Sequence, residues 1–259
     1  MRASLYGYTS SRADVNFKIV PGSGGPSVII NDSAKIRITP EALDDFSYHF
    51  RTNGASIEEM DGFIRMAKDK KLFFDVGAHK GLFSLVFCAC NPNGSVVGYE
   101  PSQVLRNAAE RLSTMNNFGD RIRFESDVIG QNRQQIPASV DSSGFIDLAP
   151  QFPDLDHMVQ MTTLDDECER LGVFPDIVKI DIEGYEYEAL KGAPRMLSKR
   201  PVLCLEMHLD MLERRGLSPK EICDDLLSNG YKFYTCLGSD LSPREVYDSA
   251  MAVLRFIAR

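Results

Sequence analysis

The residues best suited to chemistry stand at the ends of short apolar runs. Leu72-Phe73-Phe74 leads into Asp75, then into Gly77 and Gly81 on either side of Ala78, His79 and Lys80. The apolar run reads as a buried parallel strand, and residues 82–90 continue at helical spacing. Glycines at such a turn let backbone approach a ligand, and the helix start offers unpaired N–H groups. Val96-Val97-Gly98-Tyr99 ends a second strand in Glu100, followed by Pro101. In a doubly wound sheet a carboxylate at that point accepts from the two hydroxyls of a ribose. A third strand over residues 121–125 ends at Ser126-Asp127. There Asp127 either accepts from an adenine amine or serves as a turn or cap residue. Two further apolar runs follow, the first carrying Lys179, Asp181 and Glu183, the second ending in Glu206 and His208.

The first loop decides between cofactors. A dinucleotide fingerprint needs three glycines as G-x-G-x-x-G, and only Gly77 and Gly81 are present. Asp75 just before the turn repels a pyrophosphate but suits a ligand whose amino-acid end carries a positive charge. S-adenosylmethionine answers that description; a nicotinamide-dependent oxidoreductase is disfavoured by the missing glycine.

These elements need a scaffold, and 259 residues suffice for one large α/β domain with an addition at its N-terminus. A net charge of −8 argues against a non-specific grip on nucleic acid, which needs a basic surface. No apolar run approaches the ~20 residues that span a bilayer, and the first residues lack the apolar core of a signal peptide, so a cytoplasmic protein without membrane insertion is expected. The six cysteines and four histidines show no zinc-ligand spacing, and reduced, buried thiols are expected.

Residues 1–70 lack the α/β rhythm. Asn16-Phe17-Lys18-Ile19-Val20, Ser27-Val28-Ile29-Ile30 and Lys35-Ile36-Arg37-Ile38 read as strands around a Pro- and Gly-rich turn. Thr39-Pro40-Glu41 starts a helix, and a second is expected over residues 56–70. This extension is expected to be a cap, a homodimer contact or simple packing, with the catalytic domain over residues 71–259. Later elements include strand character over residues 143–147 and 158–161, and a helix starting at Thr163. Residues 185–197 form a helix broken by Gly192 and Pro194. Another helix over residues 219–229 is closed by Gly230, and the last two strands, over residues 231–236 and 251–258, form an antiparallel pair.

Taken together, DVGAHKG at residues 75–81, Glu100-Pro101-Ser102, Thr163-Leu164-Asp165-Asp166, VKIDIEGYEYEALKGA at 178–193 and VLCLEMH at 202–208 resemble the FkbM-type methyltransferases. The likeness covers roughly residues 70–210, and the I-D-I-E-G-x-E block is its most specific element. His79 departs from it, standing where the family usually has Asn. The resemblance implies a Rossmann-like class I fold: a mostly parallel seven-stranded sheet with an antiparallel last strand and helices on both faces. It implies S-adenosylmethionine as cofactor and transfer to oxygen in a sugar, glycolipid or secondary metabolite. Asp75, Gly77, Ala78, His79 and Gly81 would hold the methionine end, Glu100 and Pro101 the ribose, and Ser126 and Asp127 the adenine. Lys179, Asp181, Glu183, Glu206 and His208 would line the opposite half, with Asp181 also counted among the cofactor-binding residues.

Methyl transfer to a hydroxyl needs alignment and removal of a proton. His208, with an ordinary pKa near neutrality, is the expected base, unless it is a structural strand-end histidine. Asp181, Glu183 and Glu206 either bind acceptor hydroxyls, hold His208 in one tautomer or coordinate a divalent ion, although no full ligand set can be read and no metal is expected. Lys179, in mid-strand, is expected to pair with a carboxylate. A methyltransferase fold serving only partner recognition is the competing reading; the carboxylates and histidine count against it.

Overall fold

The structure is a computed structural model that describes residues 7–8, 16–22, 25–51, 54–140, 146–147 and 158–259. The apolar runs singled out above form its central sheet. Its strands are β1 (Leu72–Val76), β2 (Ser95–Tyr99), β3 (Ile122–Glu125), β4 (Ile177–Ile180), β5 (Val202–His208), β6 (Phe233–Thr235), β7 (Asp240–Leu241) and β8 (Val253–Ala258). Their spatial order is β3-β2-β1-β4-β5-β8-β6-β7. The first five pair in parallel, and β8 lies antiparallel between β5 and β6. The sheet therefore has eight strands where seven were expected. The extra one, β7, folds back on β6 as a hairpin and is two residues long, too short to leave a periodic signal.

Strand alternation sorts side chains between two cores. Phe74, Val76, Val178, Ile180, Leu203, Leu205 and Met207 face one core, filled by helices from the second half of the chain. Phe73, Ile177, Cys204 and Ile257 face the other. Side chains two apart share a face, so Asp75, Lys179, Asp181, Glu206, His208 and Arg255 fall on the second side.

The N-terminal extension covers that second side. Strands Phe17–Val20, Ser27–Ile30 and Ala34–Arg37 form an antiparallel meander, with Gly7–Tyr8 on its edge. Helices α1 (Pro40–Arg51) and α2 (Gly54–Ala67) follow. Val28, Ile30, Ile36, Phe46, Met60 and Phe63 share one cluster with Phe73, Leu85, Val86 and Phe87. The extension and the α/β unit thus have a common core. Asn116 also accepts from Arg37 N and donates to Arg37 O, fastening the meander to the end of the helix after β2.

Helices α3 (Leu82–Cys90) and α4 (Gln103–Met115) follow β1 and β2. Thr163 caps α5 (Leu164–Leu171), its Oγ1 accepting from Asp166 N at 3.0 Å. The expected break at Gly192 and Pro194 separates α6 (Glu186–Lys191) from α7 (Pro194–Ser198). Helix α8 (Leu209–Arg214) was not expected from the sequence, since it starts directly from β5 and lacks a capping side chain. The expected strand over residues 143–147 is described only at Ile146–Asp147, and its other residues lie outside the described ones. No described helix is long and apolar enough to cross a membrane.

Two left-handed glycines separate crowding from backbone strain. At Gly77, φ is +82°, and a Cβ would lie 1.8 Å from Asp181 O on the neighbouring strand's extension. At Gly172, which closes α5 with φ +69°, a Cβ would meet nothing within 4 Å. Gly172→Ala is expected to cost only the ~1–2 kcal/mol of left-handed backbone. Gly77→Ala must also part β1 from β4, and in thermal melts should lower the midpoint several times as much or prevent folding. Equal midpoints for the two variants would contradict the close approach.

Candidate active site

The C-terminal ends of β1, β2, β4 and β5 lie side by side, as the parallel order requires, and the chemically capable residues gather there. On the β1–β2 side the loop after β1 is held against β2. Gly77 N and Ala78 N both donate to Tyr99 O, at 3.0 and 3.1 Å. Gly81 N closes the turn on Ala78 O, and α3 begins at Gly81. Glu100 joins the two loops: Oε2 accepts from His79 N and Oε1 from Ser102 N, each at 2.8 Å. Each carboxylate oxygen has two lone-pair directions, so one on each remains for a ligand hydroxyl. Burial lifts the Glu100 pKa to about 7, against the lowering effect of those two N–H donors.

Other residues expected on this side are placed unevenly. Asp75 is 1% exposed and lies beneath the loop, accepting from Ser84 Oγ at 2.6 Å, so it fastens α3 to β1. Burial raises its pKa to about 6, with the Lys179 charge and the Ser84 hydroxyl opposing. His79 is exposed and holds a left-handed φ of +51°; its contribution is the backbone N–H given to Glu100. Pro101 is half-buried, Ser126 exposed and Asp127 half-buried at the end of β3. Lys80 pairs with Asp45 of α1, bringing the extension onto the glycine loop.

Across from them stands a buried ion network. Lys179, 2% exposed in the middle of β4, pairs with Asp181 at 2.7 Å and Glu59 of α2 at 3.7 Å, and lies 4.5 Å above the Phe83 ring. Arg255 of β8 stands opposite Glu206 of β5 in register and clamps it with Nε and Nη2, while Nε also reaches Glu59 at 3.1 Å. Burial alone would strip Lys179 of its proton, but Asp181, Glu59, Glu206 and Asp75 hold it charged. Burial would likewise raise Asp181, yet the Lys179 ammonium keeps it below its usual value. Burial and Asp181 push Glu206 up to about 7.

His208 ends β5 at 5% exposure. Its Nδ1 lies 2.9 Å from Glu186 Oε1, its Nε2 3.2 Å from Glu183 Oε2 and 4.0 Å from Asp181 Oδ1. Burial works against its charge, but Glu186, Glu183 and Asp181 together raise its pKa to about 9. Glu186, fully buried, accepts from Gly184 N at 3.0 Å through the same Oε1.

Glu59, Glu186 and Arg255 were not singled out from the sequence. Glu186 is the last letter of the I-D-I-E-G-x-E block, so a signal for it existed. Glu59 and Arg255 carried none, since 196 positions separate them. Donor atoms of Asp181, Glu206 and His208 lie within 4.8 Å of one another, close enough for an ion. Both oxygens of Glu206 are already taken by Arg255, and Asp181 Oδ2 by Lys179. An ion there would share Glu206 with Arg255 and Asp181 with Lys179.

The raised acids carry a sign. Asp75, Glu100 and Glu206 keep protons in the folded state that the unfolded chain releases, so their stabilisation is present below the ordinary carboxylate range and is lost as pH rises through 6–7. His208 acts in the same direction up to about 9. The ligand-free melting temperature is expected to fall by several degrees from about pH 5 to about pH 8, with Glu100→Gln giving a flatter slope. A wild-type midpoint rising over that interval would contradict these environments.

The methyltransferase FkbM domain matches residues 75–233, more than half of the chain. The hexuronic acid methyltransferase AglP of Haloferax volcanii is 25% identical over 174 residues, 61% of this chain and 62% of that protein. The chain thus spans less than two thirds of that curated relative's length. The crystal structure of methyltransferase FkbM from Methylobacillus flagellatus KT gives a TM-score of 0.50 at 20% identity over 74% of this chain and 44% of that one, a likeness of fold. On the domain match, with the Rossmann-like order of strands, the chain belongs to the FkbM methyltransferase family.

Proposed function

We propose that this methyltransferase uses S-adenosylmethionine and transfers its methyl group to a hydroxyl on a sugar, glycolipid or secondary metabolite. The observation that carries the reading is the Glu100 carboxylate, buried between two loops and holding one open lone pair on each oxygen. It fits the paired hydroxyls of a ribose, and Asp127 at the end of the next strand is the group nearest an adenine laid along the strand ends. Asp75 favours a cationic amino-acid end through its field, since its own oxygens lie under the loop.

When bound, the cofactor supplies an electrophilic methyl carbon on a sulfonium. The protein must then position an acceptor and take its proton. Asp181 and Glu183, with side chains 26% and 45% exposed, present carboxylate oxygens to the cleft and can accept from acceptor hydroxyls. His208 and Glu206 stand behind them. This oxygen-rich wall is the reason for preferring a polyhydroxylated acceptor. AglP, whose name specifies a hexuronic acid, makes a sugar the first class to try. Alignment at the strand ends is worth up to ~7–11 kcal/mol in ideal intramolecular geometry, more than any single group in the wall contributes.

The test is titration calorimetry with S-adenosylhomocysteine and with NAD, followed by a turnover screen on methyl hexosides, methyl hexuronides and simple polyols. Micromolar binding of S-adenosylhomocysteine but not NAD is expected, with Glu100→Ala weakening it at least about tenfold, as loss of a hydrogen-bonded carboxylate partner should. Binding of NAD alone, or unchanged affinity in Glu100→Ala, would overturn the cofactor assignment. Binding without turnover of any hydroxylated compound would remove the acceptor assignment.

A further inference from the structure

Resting on that reading, the surroundings of His208 reassign the proton transfer. We propose that Glu183 takes the acceptor's proton, and that His208, clamped as a cation between Glu186 and Glu183, positions and polarises it. Glu186 Oε1 accepts from Gly184 N and lies 2.9 Å from His208 Nδ1; with Glu186 ionised, that nitrogen is the donor. The other nitrogen, Nε2, forms an ion pair with Glu183 Oε2 at 3.2 Å and lies 4.0 Å from Asp181 Oδ1. Carboxylates thus lie against both ring nitrogens, an arrangement that favours the charged imidazolium over the neutral ring. An imidazolium has no lone pair with which to accept a proton. Its 5% exposure also keeps it away from an acceptor in the cleft.

The remaining carboxylates are unequal. Glu206 is held at both oxygens by Arg255 and is 6% exposed. Asp181 gives Oδ2 to Lys179, whose charge weakens it as a base. Glu186 is fully buried. Glu183 has nearly half its side chain open to the cleft, and its pKa is raised by burial, with His208 opposing. The groups facing it are His208, Asp181, Glu206 and Glu186, with Lys179 and Arg255 behind them. The loop holding it is fixed from outside: Arg215 donates to Gly184 O, pairs with Glu188 and stacks 4.0 Å from the Tyr185 ring.

In this step the acceptor O–H breaks, its proton goes to the Glu183 carboxylate, and its oxygen forms a bond to the methyl carbon as the C–S bond breaks. The sulfonium charge ends as a neutral thioether, and Glu183, being open to solvent, returns its proton to water. Glu186 is a positioning residue: it acts only through His208.

Two measurements decide the matter. Nitrogen-15 NMR of the intact protein at about pH 7.5, with the His208 signal identified by its loss in His208→Gln, should show both ring nitrogens protonated, and Glu186→Gln should bring its titration down toward the ordinary range. A neutral His208 in the wild type would overturn the proposal, whether or not an acceptor is known. With the best compound from the hydroxylated screen, Glu183→Gln should lower kcat about 100-fold or more while S-adenosylhomocysteine affinity stays within about threefold. The wild-type kcat should fall on the acidic side as Glu183 takes up a proton, and His208→Gln should retain turnover with that acidic limb moved upward, since a cation facing Glu183 is gone. An acidic limb near pH 9 that vanishes in His208→Gln, or full turnover by Glu183→Gln, would make His208 the base. Failure of the wild type to bind S-adenosylhomocysteine would sink the cofactor reading instead, leaving the NMR result to judge this one.

Discussion

A charged lysine buried in the centre of a parallel sheet is the constraint to which much of this structure answers. Lys179 lies among apolar strands at 2% exposure, where an unpaired ammonium would be far too costly to keep. Its charge is met by Asp181 two residues on and by Glu59 from α2, and Glu59 is in turn met by Arg255, which also holds Glu206. Removing one member of such a set costs ~3–5 kcal/mol, because another charge is left buried and alone. The network thus ties β4, β5, β8 and the N-terminal extension together at the C-terminal ends of the parallel strands.

Strand alternation explains why the extension is part of the site's support. With a period of two, Asp75, Lys179, Asp181, Glu206 and His208 share the face that α2, α3 and the meander cover. That side is therefore apolar at its base and ionic at its rim. Glu59 reaches Lys179 beside the β4–β5 carboxylates, and Asp45 reaches the glycine loop through Lys80. Both halves of the cleft are braced by residues that precede the α/β unit in the chain.

Much of this was legible where local chemistry determines local structure. The run from Leu72 through Gly81, the carboxylate after β2 and the helix break at Gly192 and Pro194 follow from periodicity and from the conformational limits of glycine and proline. Lys179 stood out as a charge inside an apolar run, and its pairing could be expected without knowing all its partners. Glu59 and Arg255 could not be read, because each looks like an ordinary surface charge until the fold joins chain positions far apart. His208 was readable as a strand-end imidazole. Its carboxylate on either side depends on a left-handed turn at Glu183 and Gly184, which no hydropathy pattern announces. The extra hairpin strand β7 was missed for lack of length.

The most direct test of the account is a crystal structure of the protein with S-adenosylhomocysteine. The two ribose hydroxyls are predicted to lie on the two oxygens of Glu100, with the backbone from Gly77 to Gly81 against the amino-acid end and the sulfur turned toward Glu183 and Asp181. A ligand whose ribose leaves Glu100 untouched, or whose sulfur faces away from the β4–β5 carboxylates, would contradict it.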